Sequence, residues 1–496
     1  MTQPQSDHST PDSNKQALVA QFKAILPAEA VLHHEEDLKP FECDGLSAFR
    51  QVPLIAVLPD TIEQVQEIMR ICHGANVPVV ARGAGTGLSG GALPLAAGVL
   101  LSLSKFKHIL DIDVANRRAT VQPGVRNLAI SEAVAEHGLY YAPDPSSQIA
   151  CSIGGNVAEN SGGLHCLKYG LTVHNIVQVE IVTVDGERLT IGSSGLDAPG
   201  YDLLALMTGS EGLLGVIVEV VVKLLPTPDL ARVVLAAFDD VSAAGDAVAA
   251  IISTGIIPAG LEMLDNAAIR ATEDFVRAGY PTDAAAILLC EVDGTTDEVE
   301  DDLAIVVDVM ERGGANEVRV SRDEDERALF WAGRRAAFPA MGRISPDYYC
   351  MDGTIPRHAL AEVLQGIYAL SEHYGLRVAN VFHAGDGNLH PLILYDANIE
   401  GEWERTEAFG GAICQLCLEH GGTITGEHGV GVEKIDQMCV QFPPDELTQF
   451  HAVKAAFDPP GLLNPGKAVP TLHRCAEFGA MHVHDGKLPF PHLERF

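Results

Sequence analysis

The stretch His383-Ala384-Gly385-Asp386-Gly387-Asn388-Leu389-His390 holds the residues best suited to chemistry. It lies between two apolar runs, Val378 to Phe382 and Pro391 to Tyr395. Asp-Gly between such runs signals a two-residue hairpin. Centred on Asp386-Gly387, that turn opposes Gly385 to Asn388, Ala384 to Leu389 and His383 to His390. Opposed residues share one face of a sheet, with Cβ atoms about 4.5–5.5 Å apart. Two imidazoles at that spacing can hold one divalent ion. Downstream, Gly426-Glu427-His428-Gly429 follows the β-prone Thr423-Ile424-Thr425 and offers a carboxylate and a further histidine. Three protein ligands and an open position describe a catalytic rather than a structural metal site. Solvated hairpin histidines are the simpler reading of either motif alone. The two motifs together, each cleared by glycines, favour the metal.

A second set of residues suits phosphate. Arg82-Gly83-Ala84-Gly85-Thr86-Gly87-Leu88-Ser89-Gly90-Gly91 follows a strand, Val77 to Ala81. Gly85-x-Gly87-x-x-Gly90 matches the dinucleotide fingerprint in letters, but that fingerprint opens a helix at its third glycine. Here Gly90-Gly91-Ala92-Leu93-Pro94 leads into another strand, Val99 to Leu103, which argues against a Rossmann nicotinamide site. Backbone N–H groups in such a turn still form an anion nest, and missing side chains let a pyrophosphate come close. Arg82, Thr86 and Ser89 add donors. Ser152 to Gly163 reads as a second loop of this kind, with Gly154, Gly155, Asn156, Asn160, Gly162 and Gly163. Pro143-Asp144-Pro145-Ser146 and Gly209-Ser210-Glu211-Gly212 read as turns along the same groove. One glycine turn alone would be an ordinary surface feature; two suggest a long ligand lying across one domain.

The elements that must position these residues follow the hydrophobic periodicity. A helix and loop span 17–36, after a polar, disordered leader at 1–16. Strand Leu54 to Leu58, helix Ile62 to Ala75 and strand Val77 to Ala81 follow, with Asp60 capping the helix against Glu63. Ala119 to Gln122 reads as a strand and Asn127 to His137 as a helix. Ile176 to Val184 and Leu189 to Ile191 form a hairpin around Asp185-Gly186, and Gly215 to Leu225 is a buried strand. Pro226-Thr227-Pro228 marks a boundary. Beyond it come strand Ala231 to Phe238, helix Val241 to Thr254, strand Ala286 to Val292, a helix from about Asp297 to Gly313, and a helix Arg405 to Glu419. This is the traffic of an α+β fold. The expected divisions are thus 1–16, 17–227, 228–469 and a tail, 470–496, whose His473, His482, His484 and His492 lack metal-like spacing.

At 496 residues and 47% hydrophobic, the chain can build large cores. Its formal net charge of −34 argues against nucleic acid and anionic membranes as partners. No apolar run reaches the roughly 18 residues that span a bilayer, and no secretory signal opens the chain. The ten cysteines are scattered and read as reduced thiols of a cytoplasmic protein. Cys414-x-x-Cys417 falls in a helical pattern and reads as packing.

On the Arg82 loop, Pro143 to Gly163, Asp347 to Pro356, the His383 hairpin, Gly426 to Gly431 and Leu462 to Lys467, the chain resembles the flavoproteins of the vanillyl-alcohol oxidase type. The resemblance implies a PCMH-type FAD-binding domain of two α+β subdomains, followed by an α+β C-terminal domain that caps the substrate. It places FAD against both glycine stretches, Glu211, Gly212 and Asn464. Thr86 stands where some relatives carry a histidine bonded to FAD, so non-covalent FAD is implied. In the related D-2-hydroxy acid dehydrogenases two hairpin histidines and a glutamate hold a metal; carried across, these are His383, His390 and Glu427, with zinc or manganese as the ion. His428 is then the proton acceptor, Arg334 (with Arg335 as a rival) the clamp on the substrate carboxylate, and Asn388 a further substrate contact. Cys350 replaces a lysine found in some relatives, which favours a small monoacid. The implied activity is oxidation of glycolate to glyoxylate, and of D-lactate, by hydride transfer to FAD. Electrons would pass to a second flavin-type subunit and an iron–sulfur subunit, which would supply any membrane contact indirectly. Alternatives are a D-lactate or D-2-hydroxyglutarate dehydrogenase of the same fold, or a non-catalytic flavin-binding subunit. A metal-dependent hydrolase would leave the glycine loops unexplained.

Overall fold

A computed structural model describes residues 11–193, 195 and 200–471. Residues 472–496 of the expected tail, which hold its four histidines, lie outside the described residues, as do residues 1–10 of the expected leader. The rest of that leader is ordered: the helix Pro11–Ile25 begins inside it, because Leu18, Phe22 and Leu26, spaced by four, bury one face in the first core.

The first half carries two main sheets. In one, Ile55–Val57, Val99–Ser102 and Val79–Arg82 run parallel, with Val31–Leu32 antiparallel at the edge. The helix Ile62–Ala75 makes the crossover. Its cap is Thr61, not Asp60: Gln64 N donates to Thr61 Oγ1 (3.3 Å), and the Gln64 side chain completes a capping box. Asp60 instead pairs with Lys105 at 3.1 Å. The other sheet is antiparallel, in the order Ile109–Asp113, Arg118–Val121, Val216–Lys223, Ile176–Val182, Arg188–Gly192.

The second half is built on an eight-stranded antiparallel sheet. Its strands read as continuous apolar runs because both faces are buried. Val234, Met263, Leu288, Phe382 and Ile393 enter one core, and Leu235, Leu264, Leu289, Val381 and Leu392 enter the other. The second face carries the helices Glu324–Arg335 and Ala337–Ala340, which contribute Phe330, Trp331 and Ala337. Cys414 and Cys417 are buried in the helix Glu402–Glu419, as packing requires. Cys439, by contrast, is disulfide-bonded, against the expectation of reduced thiols throughout.

Two features lock the halves together. After Pro444–Phe457 the chain returns to the first sheet, where Leu463 bridges Val79 and Asn464 N donates to Val79 O (2.8 Å). The strand Ala286–Gly294 also brings Glu291 and Asp293 against the first half. His165 bridges Asp144 (Nδ1 to Oδ2, 2.8 Å) and Glu291 (Nε2 to Oε1, 3.1 Å), and Arg327 Nη1 holds the other Glu291 oxygen at 2.6 Å. Asp293 takes Lys168 and the Tyr169 hydroxyl. Burial opposes the charge on His165, but the two carboxylates outweigh it and raise its pKa well above the ordinary value. Burial would likewise raise Glu291, yet His165 and Arg327 hold it at about 2. His165→Ala is expected to cost about 3–5 kcal/mol, because it strands two buried carboxylates; denaturant unfolding measures this. The Glu291 contribution is present above its ordinary pKa and is lost as pH falls toward 2. The variant's deficit should therefore shrink in acid.

A candidate active site between the two halves

A cavity of about 850 Å³ lies where the halves meet, within the ~300–1,000 Å³ of small-molecule and cofactor sites. Gly83, Ala84, Gly85, Thr86, Gly87 and Leu88 line it, delivered by the strand Val79–Arg82. Arg82 also reaches the wall, but its guanidinium braces the loop. Nη1 donates to Cys43 O (2.7 Å), the group lies 5.8 Å from the Phe41 ring centre, and it fills the space a Gly85 Cβ would need (2.3 Å). Ser89 does not reach the cavity; it is fully buried, and its carbonyl accepts from Val432 and Glu433 N–H.

The second glycine stretch is not a loop of the same kind. Gly154, Gly155 and Asn156 belong to a helix, Ile153–Glu159, begun by the extended Ser152. Its glycines are packing requirements: a Gly154 Cβ would stand 2.5 Å from Pro123 Cβ. A Gly83 Cβ would meet Ser152 Oγ at 2.1 Å, so the Ser152 side chain at the helix start packs directly on the loop backbone. These three residues, Ser146, Glu211 and Gly212 line the cavity.

Pro143, Asp144, Asn160, Gly162, Gly163 and Asn464 stand behind the wall instead. Pro143 O accepts from Asn127 Nδ2 (3.0 Å), and Asp144 holds His165. Asn160 ends the helix in the left-handed region, and its Oδ1 accepts from Val173 N (2.9 Å). Gly163 packs on the Asp144 backbone. Asn464 Nδ2 donates to Gly91 O and Glu211 O, which joins the chain's return to the loop. Gly162 makes room for Glu427, whose Oε2 lies 2.5 Å from where its Cβ would stand. Sequence reasoning missed Gly45, Gln148, Ile149 and Glu159, which also line the cavity. Gln148 and Ile149 continue the Pro145 turn and Glu159 lies inside the second glycine stretch, so all three were within reach; Gly45 carried no local signal.

The histidine hairpin differs from expectation in register. Its loop has four residues, Ala384 to Gly387, so His383 opposes Asn388 and Val381 opposes His390. Gly387 N donates to His383 O, and Asp386 Oδ1 takes Asn388 N at 3.1 Å. Gly387 has φ +83°, and a Cβ there would strike Ile355 O. The shift is two residues, and an even shift keeps every side chain on its face. The two rings therefore still meet, 5.0 Å apart and edge to face. Asn388 is buried behind them against Gly426 and does not line the cavity.

His383 Nδ1 faces Glu262 Oε1 (2.8 Å), and His390 Nδ1 faces Met351 O (3.2 Å). Both partners only accept, so both Nδ1 atoms carry hydrogen, which leaves Nε2 as the nitrogen that can hold either a proton or a metal. Those two Nε2 atoms face Glu427 Oε1 at 3.2 and 3.0 Å. Lone pairs turned on a carboxylate need a cation between them, a proton or a metal. Outer partners that fix the tautomer in this way are the usual support of metal-bound histidine. Ligand atoms of all three side chains lie within 4.8 Å of one another, as do those of Cys350, His390 and His428.

His428 stacks on His390 (4.8 Å, 11°), and its Nδ1 is buried without a partner. Burial lowers its pKa to about 4, assisted by His390 and Lys434 against Asp352 and Glu427, so the ring is neutral and able to accept a proton. The loop is shaped by Asp352, which is fully buried. Its carboxylate accepts from the N–H groups of Gly426 (3.1 Å), Glu427 (3.2 Å) and His428 (2.8 Å), and from Thr425 Oγ1 (2.5 Å). Arg334 does not line the cavity. It lies beneath it, fully buried, with Nε on Glu262 Oε2 (2.7 Å) and both terminal amino groups unpartnered. Arg335 lines the cavity and approaches Asp144 at 3.7 Å.

Residues 53–192 match the family described as FAD binding domain, and residues 227–468 match FAD linked oxidases, C-terminal domain. This chain belongs to the FAD-linked oxidases. It is 66% identical, over 99% of its length and 98% of the relative's, to the glycolate oxidase subunit GlcD of Escherichia coli strain K12. It is 39% identical, over 86% of its length and 91% of the relative's, to the protein of that name from Bacillus subtilis. Identity to the D-lactate dehydrogenase of Anaerostipes hadrus is 32%, over 91% and 96%. In fold it is similar to p-cresol methylhydroxylase (TM-score 0.77, 19% identity, 93% of this chain and 98% of that one). The 4-ethylphenol oxidase of Gulosibacter chungangensis is as similar (TM-score 0.77, 19%, 94% and 99%). The PCMH-type and cap architecture expected of an FAD-linked oxidase is thus the architecture found. The cavity fits FAD on its own terms: glycines with no room for a Cβ wall it, and the hydroxyl of Ser152 is buried without a partner. Among the described residues no helix is long and apolar enough to cross a membrane.

Proposed function

We propose that this FAD-linked oxidase converts glycolate to glyoxylate and takes D-lactate as a second substrate. One observation carries the reading: an unpartnered, neutral His428 stands over His383, His390 and Glu427 in the same cavity as the glycine loop. The identity to two glycolate oxidase subunits supports the substrate. FAD, when bound, would supply the acceptor for the hydride of C2 of the acid. His428 takes the hydroxyl proton, as a buried neutral imidazole can. His383, His390 and Glu427 would hold a divalent ion, zinc or manganese, whose chemistry would be to acidify that hydroxyl. Glu262 orients His383 and Arg334 together, which ties the ligand set to the carboxylate clamp. Thr86 at the cavity wall supports non-covalent FAD. The relatives' description as subunits supports assembly into a multi-subunit complex; the resemblance adds a flavin-type and an iron–sulfur subunit as proposed partners, in the cytoplasm and against a membrane only through them.

The test is anaerobic mixing of the FAD-loaded protein with glycolate, D-lactate, L-lactate and D-2-hydroxyglutarate. Glycolate and D-lactate should bleach the flavin fastest; bleaching by none of the four contradicts the reading. Strong chelation is expected to lower turnover severalfold or more while the flavin spectrum persists, and activity indifferent to chelators removes the metal. Arg334 is proposed as the clamp, since a substrate carboxylate would satisfy its two amino groups. A second reading gives this role to Arg335, because Arg335 is the one on the wall. Arg334→Met should raise the glycolate KM at least tenfold more than Arg335→Met does; the reverse order transfers the role.

A further inference from the structure

We propose that Phe338, backed by Tyr348, decides which 2-hydroxy acids enter, confining the site to monocarboxylic acids whose C2 carries hydrogen or a methyl group. This rests on the reading that the cavity oxidises a 2-hydroxy acid at His428.

Beyond the histidines and Glu427, the cap side of the cavity is walled by Ala332, Arg335, Ala336, Phe338, Pro339 and Tyr348. Ala332 and Ala336 are one helical turn apart and offer only methyl groups. The bulk comes from the two aromatic rings. Phe338, on the short helix Ala337–Ala340, meets His390 edge-on at 5.9 Å and Tyr348 at 6.4 Å. His390 in turn stacks on His428. The Phe338 ring therefore stands one imidazole away from the proposed base. An acid whose hydroxyl reaches His428 has that ring close to its C2 substituent. Phe338 also packs against the core beneath the helix, which limits its retreat.

Charge on this wall points the same way. Arg335 is the one Lys or Arg among these wall residues, and it already faces Asp144 at 3.7 Å, so with Arg334 as the clamp no free cation on this wall awaits a second carboxylate. The neighbouring strand Asp347–Cys350 ends in a buried thiol, which cannot balance a second one. A distal carboxylate would lie desolvated against two aromatic rings, an unfavourable burial.

The experiment compares anaerobic bleaching rates of the FAD-loaded wild type, Phe338→Ala and Phe338→Leu. The acids are glycolate, D-lactate, D-2-hydroxybutyrate, D-2-hydroxyisocaproate and D-2-hydroxyglutarate. One methylene against an apolar wall is worth about 10- to 200-fold. The wild type should therefore prefer D-lactate over D-2-hydroxybutyrate by about tenfold or more. The variants should shrink that ratio by a comparable factor, Ala more than Leu, and the diacid should remain poor in all three. Should Phe338→Ala fail to fold or to retain FAD, the Leu variant decides, since it keeps an apolar group on the core. An unchanged ratio in the folded variants, or a wild type indifferent to chain length, overturns the role of Phe338. Failure of every acid to bleach the wild type would instead overturn the function on which it rests.

Discussion

Replacing His428 by alanine is expected to leave the flavin spectrum of the bound FAD intact and to slow glycolate-dependent bleaching by about 10²–10⁴, the range of a positioned general base. Three observations make the effect large. The Nδ1 atom is buried with no partner, so no structural hydrogen bond is lost with the ring. The ring is held flat on His390 and its backbone N–H is fixed by Asp352, which sets its direction. Burial keeps it uncharged, the form that accepts a proton. FAD retention separates this role from a structural one, because the glycine loop proposed to hold the cofactor belongs to the other half of the molecule. Bleaching at the wild-type rate in a His428→Ala protein that still holds FAD would remove the base assignment.

Asp352→Ala is expected to be as damaging by another route. One carboxylate gathers three backbone N–H groups and the Thr425 hydroxyl, and so folds Thr425 to His428 into a single shape. Removing it leaves those donors buried and unpaired, and leaves Lys434, 3.6 Å away, with Glu433 alone of its two counter-charges. The expected cost is about 3–5 kcal/mol of stability, as for breaking a buried ion pair. Activity should fall by at least the hundredfold of a misplaced catalytic group. Asp352→Asn should recover little, since half of its amide would turn donors toward donors. Unfolding curves, FAD content and bound metal measured together distinguish the outcomes. Loss of turnover with FAD retained supports Asp352 as the residue that positions Glu427 and His428. Full activity in either variant refutes it.

What could be read from the chain, and what could not, divides along physical lines. The helix Ile62–Ala75 and the hairpin strands Arg377–His383 and Asn388–Tyr395 were legible because their periodicity or apolar continuity is local. The register of the hairpin was not, because the turn packs on Ile355, a partner from elsewhere in the chain whose N–H donates to Gly387 O (3.0 Å), and no local spacing reveals that contact. The consequence survived the error because the slip was even. The second glycine stretch misled for a related reason: Gly154 and Gly155 look like a flexible turn, whereas both are helix positions, and Pro123, remote in sequence, leaves no room for a Cβ at Gly154. Likewise Trp331-Ala332-Gly333-Arg334 offered two arginines, and only the packing of the helix on Glu262 shows which turns inward and which reaches the wall. Asp352, Glu262 and Phe338 act through neighbours more than 25 residues away in sequence or through ring contacts, and no spacing announces them.

The most direct test of the whole account is a crystal structure of the FAD-loaded protein soaked with glycolate under anaerobic conditions. It is predicted to show the flavin ring and the His383, His390, Glu427 cluster touching the same acid, with the hydroxyl oxygen at His428. A flavin ring seated away from His428, or an acid bound where no histidine reaches it, would contradict the account.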